Sequence, residues 1–275
     1  MEDKYKYTKQ NKDAWNKRTG INYKSEFYDV VGFLKGNTSL KKIELDLLQN
    51  NISEIKEKTI LHLQCHFGQD SLSLARMGAD VTGVDISDTA INFANELMSS
   101  MKSNGENIKA EFICCNVFEL EEHLDKKFDY IFTSYGVLGW LHSMDEWAKL
   151  ISYFLKPGGK LVLVEFHPFI WLFDDNDYSK IIYSYFNRAP IIETKKGTYS
   201  DPENEVVITD VQFCHTISDV ISNLIKHGMR ITNMHEYDHS PYGCFNELDH
   251  LNGKYHIGPF GDKLPYVFSV IAEKE

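Results

Sequence analysis

The sequence is short of the residues that build secreted or membrane scaffolds. Only five of its 275 residues are cysteine, at positions 65, 114, 115, 214 and 244, and none are spaced C-x-x-C. An odd, unpatterned set argues against a disulfide framework and for reduced thiols in a cytoplasmic protein. No apolar run approaches the roughly 20 residues needed to cross a bilayer, so no membrane partner is expected. The opening segment, MEDKYKYTKQNKDAW, lacks the apolar core of a signal peptide. Basic residues are also in deficit, 29 against 40 acidic, for a net charge of -11. That field repels a phosphate backbone, no long basic stripe offsets it, and short pairs such as Lys41-Lys42 and Lys195-Lys196 read as solvated surface, so nucleic acid is not expected as a partner. Also missing is G-x-G-x-x-G, whose absence argues against a nicotinamide-dependent enzyme.

What the chain does have is 43% apolar and 25% charged residues, ordinary globular usage with no internal repeat. Residues 1–58 read as helical and polar, with Trp15, Phe27, Tyr28, Phe33 and Leu34 as apolar anchors. From Thr59 strands and helices alternate, which implies a parallel sheet. The short apolar run Thr59–Gln64 reads as a strand covered on both faces. A helix from Gly68 to Met77 follows, closed by Gly78. Asp80–Asp85, Lys109–Cys115, Phe128–Ser134 and Lys160–Phe166 are the next strands. Between them, Ala90, Ile91, Ala94, Leu97, Met98 and Met101 recur at helical spacing, and Ser143-x-x-Glu146 opens a further helix as a capping box.

Residues 167–212 break this rhythm and show no long helix. One more helix around Ile217–Ile225 and two strands near 229–238 and 264–272 complete the pattern. No helix separates that last pair, so it can pair antiparallel. The fold is therefore α/β, a Rossmann-like, seven-stranded, mostly parallel sheet with an antiparallel C-terminal pair. It is read as one domain over 1–275, with a helical cap (1–58) and a lid-like insertion (167–212).

In such a sheet, ligands sit outside the C-terminal strand ends, where strand order reverses. The turn Cys65-His66-Phe67-Gly68 leaves the first strand and opens a helix, so its N–H groups and the helix end can hold an anion. Asp85, 17 residues beyond Gly68, ends the second strand, where a carboxylate can accept from both hydroxyls of a ribose.

The stretch LHLQCHFGQDSLSLARMGADVTGVDIS resembles the cofactor half of class I S-adenosylmethionine (SAM)-dependent methyltransferases. More narrowly, it is similar to a bacterial subgroup with LQCHxGxD at the glycine-rich position; FTSYGVLGWL, LKPGGKLVLVEFHP, GTYSD and MHEYD extend the resemblance over about residues 11–272. His62, Gln64 and His66 stand where the family's D-x-G-x-G-x-G carries its acid and first two glycines; only Gly68 remains.

The resemblance implies SAM as cofactor, S-adenosylhomocysteine (SAH) as product and a small-molecule acceptor, with O- or N-methylation expected. It implies a cofactor site of Gln64, Cys65, His66, Gly68, Asp70, Asp85, Ile86, Asn116, Val117 and Ser134, closed over by Trp15 and Arg18. Asp70 could equally flank the helix start, and Asn116 could equally form an Asx turn.

A protic acceptor needs a base. His167 is the first candidate, with Glu165, Tyr135 and His142 as alternates; a structural histidine at a strand end competes for the first. Trp140, Trp171 and Tyr185 are candidates for the acceptor pocket. His235-Glu236-Tyr237-Asp238-His239 fits H-E-x-x-H, but on a strand its histidines stand about 13 Å apart, too far to share a zinc ion, so no metal is expected. The competing functions are a catalytically silent SAM-binding regulator, a nicotinamide enzyme and a zinc hydrolase. A monomer or homodimer is expected.

Overall fold

The computed structural model describes residues 5–246 and 248–275, so the first four residues of the expected cap lie outside it. The N-terminal segment folds as α1 (Tyr5–Asn22), α2 (Val30–Leu34) and α3 (Lys42–Asn51). Strand β1 (Thr59–Leu63) then opens the alternation, followed by α4 (Gln69–Arg76), β2 (Asp80–Asp85), α5 (Asp88–Ser103), β3 (Lys109–Cys114), β4 (Phe128–Ser134), α6 (Met144–Phe154) and β5 (Leu155–Phe166). β5 starts earlier than its apolar run, because Leu155 already pairs with Phe128 of β4 and Pro157-Gly158-Gly159 is a bulge, with Gly158 at φ 73°, before the register resumes at Lys160.

Where the sequence shows no periodicity, the chain makes small hairpins. β6 (Phe173–Asp174) pairs with β7 (Asp177–Ile181), and β8 (Ile191–Lys196) with β9 (Val207–Gln212). Helix α7 (Ile217–Lys226) and β10 (Met229–Tyr237) return the chain to the main sheet. The hairpin of β11 (Leu248–Leu251) and β12 (Lys254–Ile257) precedes the last strand, β13 (Val267–Lys274).

The main sheet has seven strands in the order β10-β13-β5-β4-β1-β2-β3. β13 runs antiparallel to both β10 and β5, and the remaining pairs are parallel. Alternation along each strand sorts the core into two layers. Ile60 of β1 packs on one face with Leu72, Leu74, Leu97 and Met101 of α4 and α5. Leu61 and Leu63 pack on the other with Trp147, Ile151 and Phe154 of α6 and Leu224 of α7. Ser143 Oγ accepts from the Glu146 N–H at 3.2 Å and starts α6, as its sequence implies. β1 lies between β2 and β4, so the order reverses there and the crevice opens above its C-terminal end. Among the described residues no helix is long and apolar enough to cross a membrane.

Candidate active site

β1 ends one residue earlier than its apolar run because Gln64 turns into the left-handed region, at φ 53°. His66 follows at φ 52° and Gly68 at φ 77°. These are the three positions where the usual motif has glycine, and two non-glycine residues keep the glycine-like backbone. Such a conformation costs of order 1–3 kcal/mol per residue and persists only where the surroundings enforce it. Here they do. The His66 N–H donates to Asp85 Oδ2 at 2.8 Å, and Gln64 Nε2 donates to the Val137 carbonyl at 2.9 Å. At Gly68 a Cβ would stand 2.7 Å from the Phe112 ring.

Asp85 closes β2. Its other oxygen takes the Ser87 N–H at 2.8 Å. Burial pushes its carboxyl up to about 6, against the pull of those N–H bonds. The imidazole of His66 is enclosed by Trp15, Tyr28 and Phe67, and burial holds it down to about 3, hence neutral. His62, in the position of the usual acid, bonds Ser71 Oγ at 2.7 Å and is likewise kept neutral by burial, at about 4 despite Asp70.

Helix α1 lies across this loop. Asn11 exchanges two hydrogen bonds with the Val211 backbone in β9, at 2.8 and 2.9 Å. Asn16 accepts from Ser87 Oγ at 2.6 Å, next to Asp85. Arg18 donates through Nη2 to Asp210 of β9 and lies over the rings of Trp15 and Trp140. Asp210 was not anticipated. Its signal was an acid on the buried side of an alternating strand, with Ile208 two residues before it also buried.

All these elements enclose one cavity of about 970 Å³. Gln64, Cys65, His66, Gly68, Asp70, Asp85, Ile86, Asn116, Val117, Ser134, Trp15 and Arg18 all line it, as do Trp140, Trp171 and Tyr185. Asn116 Oδ1 also accepts from the Phe118 N–H at 3.2 Å, the Asx turn open to it from sequence. Tyr28, Tyr199 and Tyr242 extend the aromatic wall, with Tyr28 and Tyr199 joined through their hydroxyls.

The candidate bases divide. Glu165 lines the cavity, but its carboxylate accepts four backbone N–H groups, from Gly136, Val137, Leu138 and Phe166. It holds the loop after β4 in place, and burial raises its pKa against those bonds. Glu165→Gln keeps one acceptor oxygen and turns an NH2 toward buried donors. A loss of about 2–3 kcal/mol in denaturant unfolding is expected; an unchanged midpoint would refute the clamp.

Tyr135 lines the cavity and donates to Glu44 Oε2 at 2.8 Å. His142 lines it too, with Nε2 making no hydrogen bond and Glu146 Oε1 at 3.5 Å. His167, the first candidate, requires correction: it does not line the cavity. Beyond β5 its N–H pairs with the Tyr266 carbonyl, so the chain still runs beside the edge of β13. Its Nε2 meets Glu236 Oε1 of β10 at 2.9 Å, and its Nδ1 accepts from the Phe169 N–H at 3.1 Å. Glu236 thus serves this contact, and the H-E-x-x-H segment lies on and just past β10. Among the described residues no group of three or more His, Cys, Asp or Glu side chains is placed to hold a metal.

The residues present fit an adenosyl amino acid. Close packing of Gly68 on the Phe112 ring fixes the left-handed turn, and that turn lines the same cavity as the carboxylate that ends β2. Buried atoms of cavity-lining side chains stand without partners: Gln64 Oε1, His66 Nε2 and Arg18 Nη1. The fold and the geometry of the site together resemble those of a class I SAM-dependent methyltransferase domain.

The comparisons with known proteins agree. Residues 60–159 match the family model described as a methyltransferase domain. Ubiquinone biosynthesis O-methyltransferase of Idiomarina loihiensis is 26% identical over 137 residues, 50% of this chain and 54% of that protein. The chain thus spans about half the length of that curated relative. Among solved structures, a SAM-dependent methyltransferase from Mesorhizobium loti aligns with TM-score 0.54 at 18% identity, over 88% of this chain and 100% of that one. Geranyl diphosphate C-methyltransferase from Streptomyces coelicolor A3(2), solved with SAH, aligns with TM-score 0.60 at 11% identity over 100% of both chains. These likenesses extend the shared fold well beyond the matched domain.

Proposed function

We propose that the chain transfers a methyl group from SAM to a hydroxyl or amine of a small molecule held between the sheet, the N-terminal helices and the insertion. One observation carries the reading: Gly68 and Asp85 face a single cavity, which continues past them into an aromatic chamber. The turn at 64–68 and the start of α4 receive the amino-acid end, and Asp85 receives the ribose. The sulfonium supplies an activated methyl group. What the protein must add is alignment, worth roughly 7–11 kcal/mol of barrier in well-oriented reactions. Trp15 and Arg18 close the site from above, since α1 is tied both to the start of α5 and to β9. Residues 5–58 and 167–212 act as a lid that excludes water and shapes the acceptor space. With Glu165 and His167 committed elsewhere, His142 is the base within the cavity.

The O-methylating relative and the C-methylating neighbour both act on small organic molecules by name, and they differ in the atom modified. In titration calorimetry, SAM and SAH should bind at about 1–100 µM and NAD should not. Heat with NAD alone would reverse the reading. A second reading, a catalytically silent SAM sensor, draws on the commitment of Glu165 and His167 to structural contacts. It predicts cofactor binding without label transfer from methyl-labelled SAM across hydroxyl, amine, thiol and carbon acceptors.

A further inference from the structure

The charge of the cavity is unbalanced at one place. Most carboxylates in its wall are already engaged. Asp85 and Glu165 hold backbone N–H groups, Asp210 takes Arg18, and Asp175 and Glu193 take Lys195. Asp29 and Asp174 accept from backbone N–H groups of their own turns. Asp70, in the first turn of α4, meets only hydroxyls: Ser39 Oγ at 2.6 Å and Ser134 Oγ at 3.2 Å. Behind the wall stands Glu44 of α3, fully buried, held by the Tyr135 hydroxyl at 2.8 Å and the Lys41 N–H at 3.2 Å. Among the described residues neither acid has a cationic partner. Ser134 and Tyr135 are consecutive, so both acids are bonded to the end of β4, at the crevice. Gln64 adds a buried carbonyl oxygen without a partner to the same cavity.

A fully buried carboxylate without a cation, as at Glu44, is costly, and the half-buried Asp70 nearby makes it more so. The arrangement makes sense if a cation arrives with the ligand. SAM and SAH share adenosine and amino-acid ends, the α-ammonium included, so the effect of that ammonium on Asp70 cancels between them; they differ by a methyl group and the fixed positive charge on sulfur. We propose that Asp70 and Glu44 form a charge-sensing pair that favours the cationic methyl donor over the neutral-sulfur product, with Glu44 releasing a proton as the donor enters. This rests on the methyltransferase reading of the site.

Burial, and next the charge of Asp70, push the Glu44 carboxyl up to about 7, against its bonds from Tyr135 and Lys41. Near neutral pH it is therefore only partly ionised. A nearby cation favours the ionised form and expels the proton. Once the charge on sulfur is gone, Glu44 takes a proton back and the pair no longer holds the ligand. The tyrosines facing Glu44 do not titrate in this range. Tyr135 and Tyr242 are raised well above the ordinary tyrosine value, mainly by burial, and Tyr237 is raised as well. The ammonium of Lys41, at the head of α3, sits over the Tyr242 ring at 4.9 Å. Asp85 titrates with any adenosyl ligand, so its effect cancels between SAM and SAH.

The test is calorimetry on the full chain at about pH 7, in buffers of different ionisation enthalpy. The ligands are SAM, SAH and sinefungin, which carries an ammonium in place of the sulfonium. SAM and sinefungin should each release about 0.3 proton more than SAH, and the SAM-to-SAH affinity ratio should rise several-fold between about pH 6 and about pH 8. Glu44→Gln should remove the extra proton and flatten the ratio. Asp70→Asn should lower the ratio about tenfold. Tyr135→Phe, which removes a donor to the ionised form, should move the transition to higher pH, a check that remains if Glu44→Gln does not fold. Equal proton release by all three ligands, or a Glu44→Gln protein with the wild-type difference, overturns the proposal. No binding of either SAM or SAH would instead remove the methyltransferase reading itself.

Discussion

Gly68→Val is expected to weaken SAH binding by about 10³-fold or more and to lower the unfolding midpoint. Two independent costs combine at this position. The backbone stands at φ 77°, where a β-branched residue is strained. A Cβ there would also lie 2.7 Å from the Phe112 ring and 3.1 Å from the Ala94 Cβ. Phe112 cannot simply withdraw, because the same ring fills the space over Gly83, where a Cβ would meet it at 2.6 Å. The loop must therefore shift, and with it the His66 N–H that Asp85 holds. The costs are separable. Phe112→Ala in a Gly68→Ala background relieves the clash but leaves the φ strain, so part of the affinity should return. Calorimetry with SAH and thermal unfolding read both. A Gly68→Val protein with wild-type SAH affinity would mean that this turn is not the ligand's cradle.

The elements that proved legible in the sequence are those buried along a continuous short run or with a helical period. Thr59–Leu63, Asp80–Asp85 and Phe128–Ser134 are apolar and short because helices cover both faces, and the buried face of α6 follows Met144, Trp147, Ala148, Ile151 and Phe154. The hairpins β6–β7, β8–β9 and β11–β12 were not legible. Apart from β9, which alternates and is half covered, they are short and largely exposed and carry no alternation strong enough to separate strand from loop. The early start of β5 was hidden for the opposite reason, since Pro157-Gly158-Gly159 reads as a stop.

At the site, position along a strand was readable but direction beyond its end was not. Asp85, Ser134 and Glu165 sit at C-terminal strand ends and face the cavity. His167 lies one residue past β5, where strand parity no longer applies, and pairing with Tyr266 carries it toward β10. Glu44 gave no signal because its helix is far from the glycine loop in sequence and its role depends on a contact 91 residues away. At 64 and 66 the sequence departs from the family's glycines. The fold instead enforces the glycine-like backbone through Asp85 and Val137, a long-range contribution that local propensity does not contain.

Asp85→Ala should then be nearly as damaging as the change at Gly68, and its pH dependence identifies the cause. The carboxylate holds two backbone N–H groups, at His66 and Ser87, and in the proposed complex accepts from the ribose hydroxyls. Charge-assisted bonds of this kind contribute roughly 1.5–3 kcal/mol each, so SAH affinity should fall about 10²–10⁴-fold. Two opposing pH effects follow from a carboxyl raised to about 6 by burial. For folding, a raised carboxyl pKa means that the native state binds this proton more tightly than the unfolded chain. Its stabilising share is complete below the ordinary carboxyl value and is lost as pH rises through about 6. For binding, the ribose hydroxyls donate to the ionised form, so SAH affinity rises through the same range and levels off above it. Asp85→Ala and Asp85→Asn should both lose this rise. Asn should bind better than Ala, since its carbonyl oxygen keeps one acceptor while its NH2 opposes the second N–H. Wild-type SAH affinity that stayed flat between about pH 5 and about pH 7, or a rise that survived in Asp85→Ala, would place the titrating group elsewhere and take the ribose contact from Asp85.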